Sequence, residues 1–150
     1  MVWGAISSKG TSRLHIVDGS MNMNQYIEIL KGRLLPQVRE WYGDQTWIFQ
    51  QDSAPCHTGK LVKTWFAQNG VQVLPWPGNS PDMNPIESLW SILKNEIHLE
   101  AITAKEELIC RLIKVWFHSE KIQEMCKILI SSMPRRVKAL LAAKGDQTSY

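Results

Sequence analysis

The sequence predicts a mixed α/β fold, a sheet covered by helices on both faces. Three observations carry that expectation. Short β-rich runs alternate with helical stripes through the first half of the chain, and everything after a proline-rich loop in the middle is helical. With 44% apolar residues in 150, the chain can also bury one core without disulfide or metal staples.

The elements follow in order. Val2 to Ile6 and Arg13 to Val17 are apolar stretches separated by Ser7-Ser8-Lys9-Gly10, the spacing of a hairpin. Asp18-Gly19-Ser20 breaks the chain. Tyr26, Ile27, Leu30, Leu34 and Val38 then recur at helical intervals, which predicts a helix over about 23 to 35 with Pro36 interrupting it. Trp47-Ile48-Phe49 reads as a strand leading into Gln50-Gln51-Asp52. Leu61, Val62, Trp65 and Phe66 mark one face of a helix closed by Asn69-Gly70, and Val71 to Leu74 reads as another strand. Pro75 to Pro85, with four prolines and Gly78, is expected to be irregular. Beyond it, stripes at Ile86 to Ile97 and at Leu108 to Trp116 predict two helices, the second capped by Thr103. A last helical region over 120 to 143 is broken at Pro134.

Composition excludes several classes. Cys56, Cys110 and Cys126 are odd in number and far apart, so neither a disulfide framework nor a structural zinc site is expected, and a reducing compartment is. No apolar run approaches the ~18 residues of a membrane span, so no membrane partner is expected. There is no glycine-rich phosphate loop, hence no expected nucleotide cofactor. The formal net charge is +3; residues 121 to 150 carry six basic and two acidic side chains, and residues 1 to 120 carry eleven and twelve. Any basic footprint is C-terminal.

Two carboxylates stand out. Asp52 ends a strand, where open α/β sheets place ligands, although a turn or cap role fits it equally. Glu87 falls three residues after Asn84, with Pro85 between them, and this is the composition of a capping box. Thirty-four residues, 53 to 86, separate the two acids. Val2-Trp3-Gly4, Gln51-Asp52-Ser53-Ala54-Pro55-Cys56-His57 and the run from Trp76 to Trp90, which contains Ser80-Pro81-Asp82-Met83-Asn84-Pro85-Ile86-Glu87, closely resemble the catalytic domain of Tc/mariner-superfamily DNA transposases. Ser53 and Met83 stand where many members of that family carry Asn and Leu.

The resemblance implies a ribonuclease-H-like fold and a D, D, E triad that holds Mg²⁺ (or Mn²⁺). Asp52 would be the second Asp and Glu87 the Glu, both catalytic and both metal ligands. It implies metal-dependent DNA cleavage and strand transfer in cut-and-paste transposition, with DNA as partner, a homodimer and residence in the nucleus. Oxygen ligands suit such hard cations, and paired ions can activate the attacking oxygen and neutralise the leaving one.

In that family the first Asp lies on a central strand upstream of the Val-Trp-Gly strand, whereas this sequence starts at Met1. The expectation is a mixed sheet flanked by helices that lacks its first, central strand. It would be marginally stable through open strand edges and inactive by itself because the triad is incomplete. Asp18, the one other acid weighed, reads as a turn residue. The domain is expected to divide into a sheet and active-site core over about 1 to 98 and C-terminal helices over about 99 to 150. The alternative is a catalytically inactive relict that serves as a DNA-binding or protein-interaction module.

Other candidates are for DNA contact. His57 either satisfies a helix start or approaches a DNA phosphate, Trp76 is placed to stack on a base, and Arg135, Arg136 and Lys138 are a short basic run. Trp65, Trp90 and Trp116 read as core.

Overall fold

A computed structural model describes residues 1–76, 83–98 and 101–143. The strands are β1 (Val2–Trp3), β2 (Ile6–Ser7), β3 (Gly10–Thr11) and β4 (His15–Ile16). The helices are α1 (Met23–Ile29), a π-helical segment (Leu30–Leu34), α2 (Leu35–Tyr42), α3 (Pro55–Thr58), α4 (Lys60–Gln68), α5 (Pro85–Ile97), α6 (Lys105–His118), α7 (Glu120–Ser131) and α8 (Met133–Ala142). The chain forms two compact units, Met1–Gly4 with Ser12–Asn79 and Ala5–Thr11 with Ser80–Tyr150.

In the first unit, β1 and β4 pair antiparallel with Val2 opposite Ile16, and the main-chain bonds of Met1 and Val17 extend the ladder. The expected hairpin is therefore present, but its strands are broken: β2 and β3 form a separate ladder with Ile6 opposite Thr11, and they belong to the second unit. The two expected strands at 47–51 and 71–74 reduce to one parallel bridge, Phe49 to Val73. Phe49 N–H donates to Gln72 O at 2.8 Å and Leu74 N–H to Phe49 O at 2.7 Å. Among the described residues no further strand pairs with β1 or with Phe49.

The helix after Asn22 begins with a capping box that the sequence reading did not name. The Asn22 side chain accepts from Gln25 N–H at 3.0 Å, and Asn22 N–H donates to the Gln25 side chain at 2.9 Å. The helical path does not stop near Pro36 as expected but runs on to Tyr42. Pro36 has no N–H, and its ring presses on the carbonyl four residues back. The chain widens by one residue ahead of it, and Leu35 N–H reaches back five residues to Leu30 O. Tyr26, Leu30 and Leu34 line the buried side of this path, Val62, Trp65 and Phe66 that of α4. α1 packs on both α3 and α4, and Phe49 meets Phe66 with ring centroids 5.9 Å apart. Gly70 closes α4 at a φ of 64°, as the Asn69-Gly70 signal requires.

In the second unit, α5 packs on α6 and α7. The sequence division grouped α5 with the sheet; its apolar stripe of Leu89, Leu93 and Ile97 is buried within this helical unit. Trp116 is fully buried and stacks on Trp90 at 4.9 Å. Truncating such a side chain costs about 3 to 5 kcal/mol, whereas exposed pairs such as Lys121 with Glu96 contribute about 0 to 1 kcal/mol, so the aromatic stack dominates. α6 starts after Ala104 rather than at Thr103, whose N–H bonds the Glu107 side chain at 3.2 Å.

β2 and β3 are fixed to the helices by the Gln123 amide and by Thr11 Oγ1, which donates to Trp116 O at 3.0 Å. Gln123 Oε1 accepts from Thr11 N–H at 3.1 Å, and its Nε2 donates to Thr11 Oγ1 at 3.0 Å and Trp116 O at 2.8 Å. Gly10 sits beneath it at a φ of 120°, where a Cβ would lie 2.4 Å from Gln123 Oε1. Gly10→Ala should therefore cost about 2 kcal/mol, a fall of roughly 4 to 8 °C in Tm. Gly19→Ala, at a φ of 72° with open space around it, should bear the backbone strain alone and melt higher. Equal melting of the two variants would contradict the close approach at Gln123.

Candidate active-site carboxylates

The parallel bridge explains where Asp52 stands. Asp52 and Trp76 both lie three residues beyond the paired Phe49 and Val73, in the carboxyl direction. Asp52 folds the chain into α3: its Oδ1 accepts Ala54 N–H at 3.0 Å, the turn that a short carboxylate makes with the backbone two residues on. Pro55 then occupies the first turn of α3, and Ala54 O accepts from His57 N–H at 2.9 Å and Thr58 N–H at 3.1 Å.

The same Oδ1 lies 2.5 Å from His57 Nδ1. A carboxylate only accepts, so Nδ1 carries the hydrogen and the tautomer of His57 is set by this bond. His57 is therefore committed to Asp52 through Nδ1, and its backbone N–H to Ala54 O at the helix start. Among the described residues Asp52 Oδ2 accepts no hydrogen bond. The Asp52 side chain is 49% exposed and that of His57 18%.

Two residues behind His57 were not foreseen as part of the site. Tyr26, 1% exposed, lays its ring 4.2 Å from the His57 ring and donates its hydroxyl hydrogen to Gln51 Oε1 at 2.7 Å. Gln51 Nε2 donates in turn to His57 O at 3.1 Å. The available signals were modest: Gln51 adjoins Asp52, and a tyrosine on a buried helix stripe must find a partner for its hydroxyl.

Glu87 is presented differently. It is the third residue of α5 and is exposed. Asn84 and Pro85 occupy the expected positions, but the capping box is not formed: the Asn84 side chain makes no capping bond to α5. Among the described residues no hydrogen bond or ion pair engages the Glu87 carboxylate, which lies near the positive end of the helix dipole. Arg136 corrects an expectation. It is 3% exposed, not a surface cation, and its Nε donates to Ser132 Oγ at 2.9 Å and its Nη2 to Ser88 Oγ at 3.1 Å, beside Glu87 in the chain. Burying a guanidinium requires such partners, and here they tie α8 to the first turn of α5.

Arg135 and Lys138 are exposed on α8, Trp76 is half-buried, and Asp18 is exposed in the turn where it was expected. Residues 77–82 of the proline-rich segment lie outside the described residues. All three cysteines are free, and burial pushes the Cys126 thiol up to about 12, which makes it a poor metal ligand. Among the described residues no group of three or more His, Cys, Asp or Glu side chains converges as a metal cluster. No described helix is long and apolar enough to cross a membrane.

A mixed α/β fold with an acidic residue at a strand end and another on a helix start defines a class, and the chain belongs to it: a family model for the DDE superfamily endonucleases matches residues 1–109. More particularly, the chain is similar to the transposable element Tcb1 transposase of Caenorhabditis briggsae, at 35% identity over 150 residues. It is equally similar, at 35% over 152 residues, to the transposable element Tc1 transposase of Caenorhabditis elegans. Each match takes in 100% of this chain and 54% of the relative, so the chain spans about half their length. In fold it matches the crystal structure of the catalytic domain of Mos1 mariner transposase with a TM-score of 0.87 and 18% identity, covering 99% of this chain and 75% of that one. Further Mos1 structures are of the catalytic domain with raltegravir and Mn or Mg, and of a paired end complex with Mn. The ribonuclease-H-like fold class and the Tc/mariner resemblance expected from the sequence are both established.

Burial raises the Tyr26 phenol far above the usual tyrosine range, with smaller contributions from the charge of Asp52 and from Cys56. The folded chain keeps a proton that the unfolded chain gives up above about pH 10. The contribution is intact below that pH and lost above it, so stability should fall by about 1.4 kcal/mol per pH unit as pH rises past 10. Urea melts between pH 9 and 11 should show a shallower fall for Tyr26→Phe than for the parent chain. Parallel slopes would contradict the burial of this hydroxyl.

Proposed function

We propose that Asp52 and Glu87 are the second and third carboxylates of a D, D, E metal site, and that the chain contributes these two ligands to metal-dependent DNA cleavage and strand transfer in cut-and-paste transposition. The observation that carries this reading is the state of Asp52, whose Oδ1 is held by Ala54 N–H and His57 Nδ1 while Oδ2 stays available. Glu87 is likewise an exposed carboxylate without a described partner. The donor set fits Mg²⁺ or Mn²⁺, which are hard cations that prefer carboxylate oxygen. When bound, such ions supply a Lewis acid that polarises phosphoryl oxygen and lowers the pKa of attacking water.

This chain's own residues do the rest. His57 and the Ala54 amide orient Asp52, and α5 carries Glu87 on its first turn. Trp76, Arg135 and Lys138 are the proposed DNA contacts, the first by stacking and the others through phosphate; with Arg136 buried, the basic footprint on α8 is smaller than the sequence alone suggests. Support for DNA as partner comes from the Mos1 transposase paired-end complex with left transposon end; a homodimer and residence in the nucleus belong to the same proposal.

Mn²⁺ binding to the 150-residue chain tests the reading, followed by electron paramagnetic resonance. Asp52→Asn and Glu87→Gln should each weaken binding at least about tenfold, since loss of even an outer partner of a metal ligand costs about 10- to 100-fold. Unchanged Mn²⁺ affinity in both variants, with the fold intact by circular dichroism, would refute it.

A further inference from the structure

We propose that Tyr26 and Gln51 are positioning residues of the metal site, acting through His57 to fix the Asp52 carboxylate with Oδ1 committed to the protein and Oδ2 turned to the ion. The inference rests on the reading of Asp52 as a metal ligand.

The geometry forms a closed chain of contacts. The Tyr26 hydroxyl donates to Gln51 Oε1 at 2.7 Å, Gln51 Nε2 donates to His57 O at 3.1 Å, and the Tyr26 ring covers the His57 ring at 4.2 Å. His57 has its backbone held on one side and its imidazole on the other, so its Nδ1–H is aimed at Asp52 Oδ1 at 2.5 Å. Asp52 itself is half exposed and lies outside regular structure, where a free side chain would sample several rotamers. Tyr26, by contrast, is fully buried on α1, an element that packs on both α3 and α4. The rigidity of a buried helix is thus passed to an exposed acid by two side chains. Metal ligands are commonly held this way by outer partners, whose loss weakens metal binding about 10- to 100-fold. A role confined to folding would not require the hydroxyl, the amide and the ring to converge on the residue whose side chain bonds Asp52.

The test uses the 150-residue chain with Tyr26→Phe, which keeps the ring and removes the hydroxyl, and Gln51→Leu, which removes both amide bonds from a half-buried position. Two readouts apply: Mn²⁺ affinity, and the tautomer of His57 in the metal-free chain from the ¹⁵N resonances of its imidazole. Both variants should weaken Mn²⁺ binding about tenfold and mix the His57 tautomers. In a His57→Ala background, Tyr26→Phe should weaken binding by no more than about twofold further, because the path through the imidazole is already cut. A purely structural role would give effects that add in that background, and would overturn the proposal. So would unchanged Mn²⁺ affinity and a single His57 tautomer in Tyr26→Phe and Gln51→Leu, while Asp52→Asn still weakens binding. If Asp52→Asn leaves Mn²⁺ binding intact, the metal-ligand reading fails instead, and the tautomer alone decides whether Tyr26 and Gln51 hold His57. Should Tyr26→Phe unfold the chain, Gln51→Leu decides on the same readouts.

Discussion

One carboxylate oxygen, Asp52 Oδ1, joins the sheet to the helices of the first unit. It accepts the Ala54 N–H that turns the chain into α3 and the His57 Nδ1–H that returns from the end of that short helix. A four-residue helix has little stability of its own, because its hydrogen bonds scarcely offset the cost of nucleation. What stabilises α3 is its ends: Asp52 before it and Pro55 at its first position, and after it the Gly59 backbone, which leads at once into α4. Among the described residues the same arrangement leaves Oδ2 without a hydrogen bond. The turn that the fold needs and the proposed metal ligand are therefore one side chain.

The second unit solves a different problem, that of presenting an acid with no partner among the described residues on a helix start. α5 is anchored along its length by Leu89, Leu93 and Ile97 and by the Trp90–Trp116 stack. Its first turn has no side-chain cap, and Arg136 ties that turn to α8 through Ser88. A buried cation is costly unless its donors are all engaged, and two serine hydroxyls engage at least two of them here. Glu87 gains from the helix dipole without being consumed by a capping bond, as its proposed role requires.

Most of this was legible in the sequence, for physical reasons that differ from place to place. Apolar periodicity located α4, α5, α6 and the break at Pro134 because those stripes are long and their burial is decisive. The parallel pair at Phe49 and Val73 was legible as two β-rich runs, but not its extent, since strand length is set by partners rather than by propensity. Pro36 misled: a single proline ends an isolated helix, whereas a helix buried along one face absorbs it as a π turn. Arg136 misled in the same manner, as it reads as one of three surface cations until Ser132 and Ser88 are seen around it. Asp52, Glu87 and His57 were legible because their spacing and neighbours are restrictive. Tyr26 and Gln51 were not, since their part depends on contacts between residues 25 positions apart.

The division of labour within the Asp52 carboxylate is the centre of this account, and a crystal structure of the chain soaked in Mn²⁺ tests it most directly, through the anomalous signal of the ion. The account predicts Mn²⁺ bound to Asp52 through Oδ2, with the Oδ1 bond to His57 Nδ1 retained and the Tyr26 ring still against the imidazole. Mn²⁺ chelated by both oxygens with His57 displaced, or Mn²⁺ bound without Asp52, would contradict it.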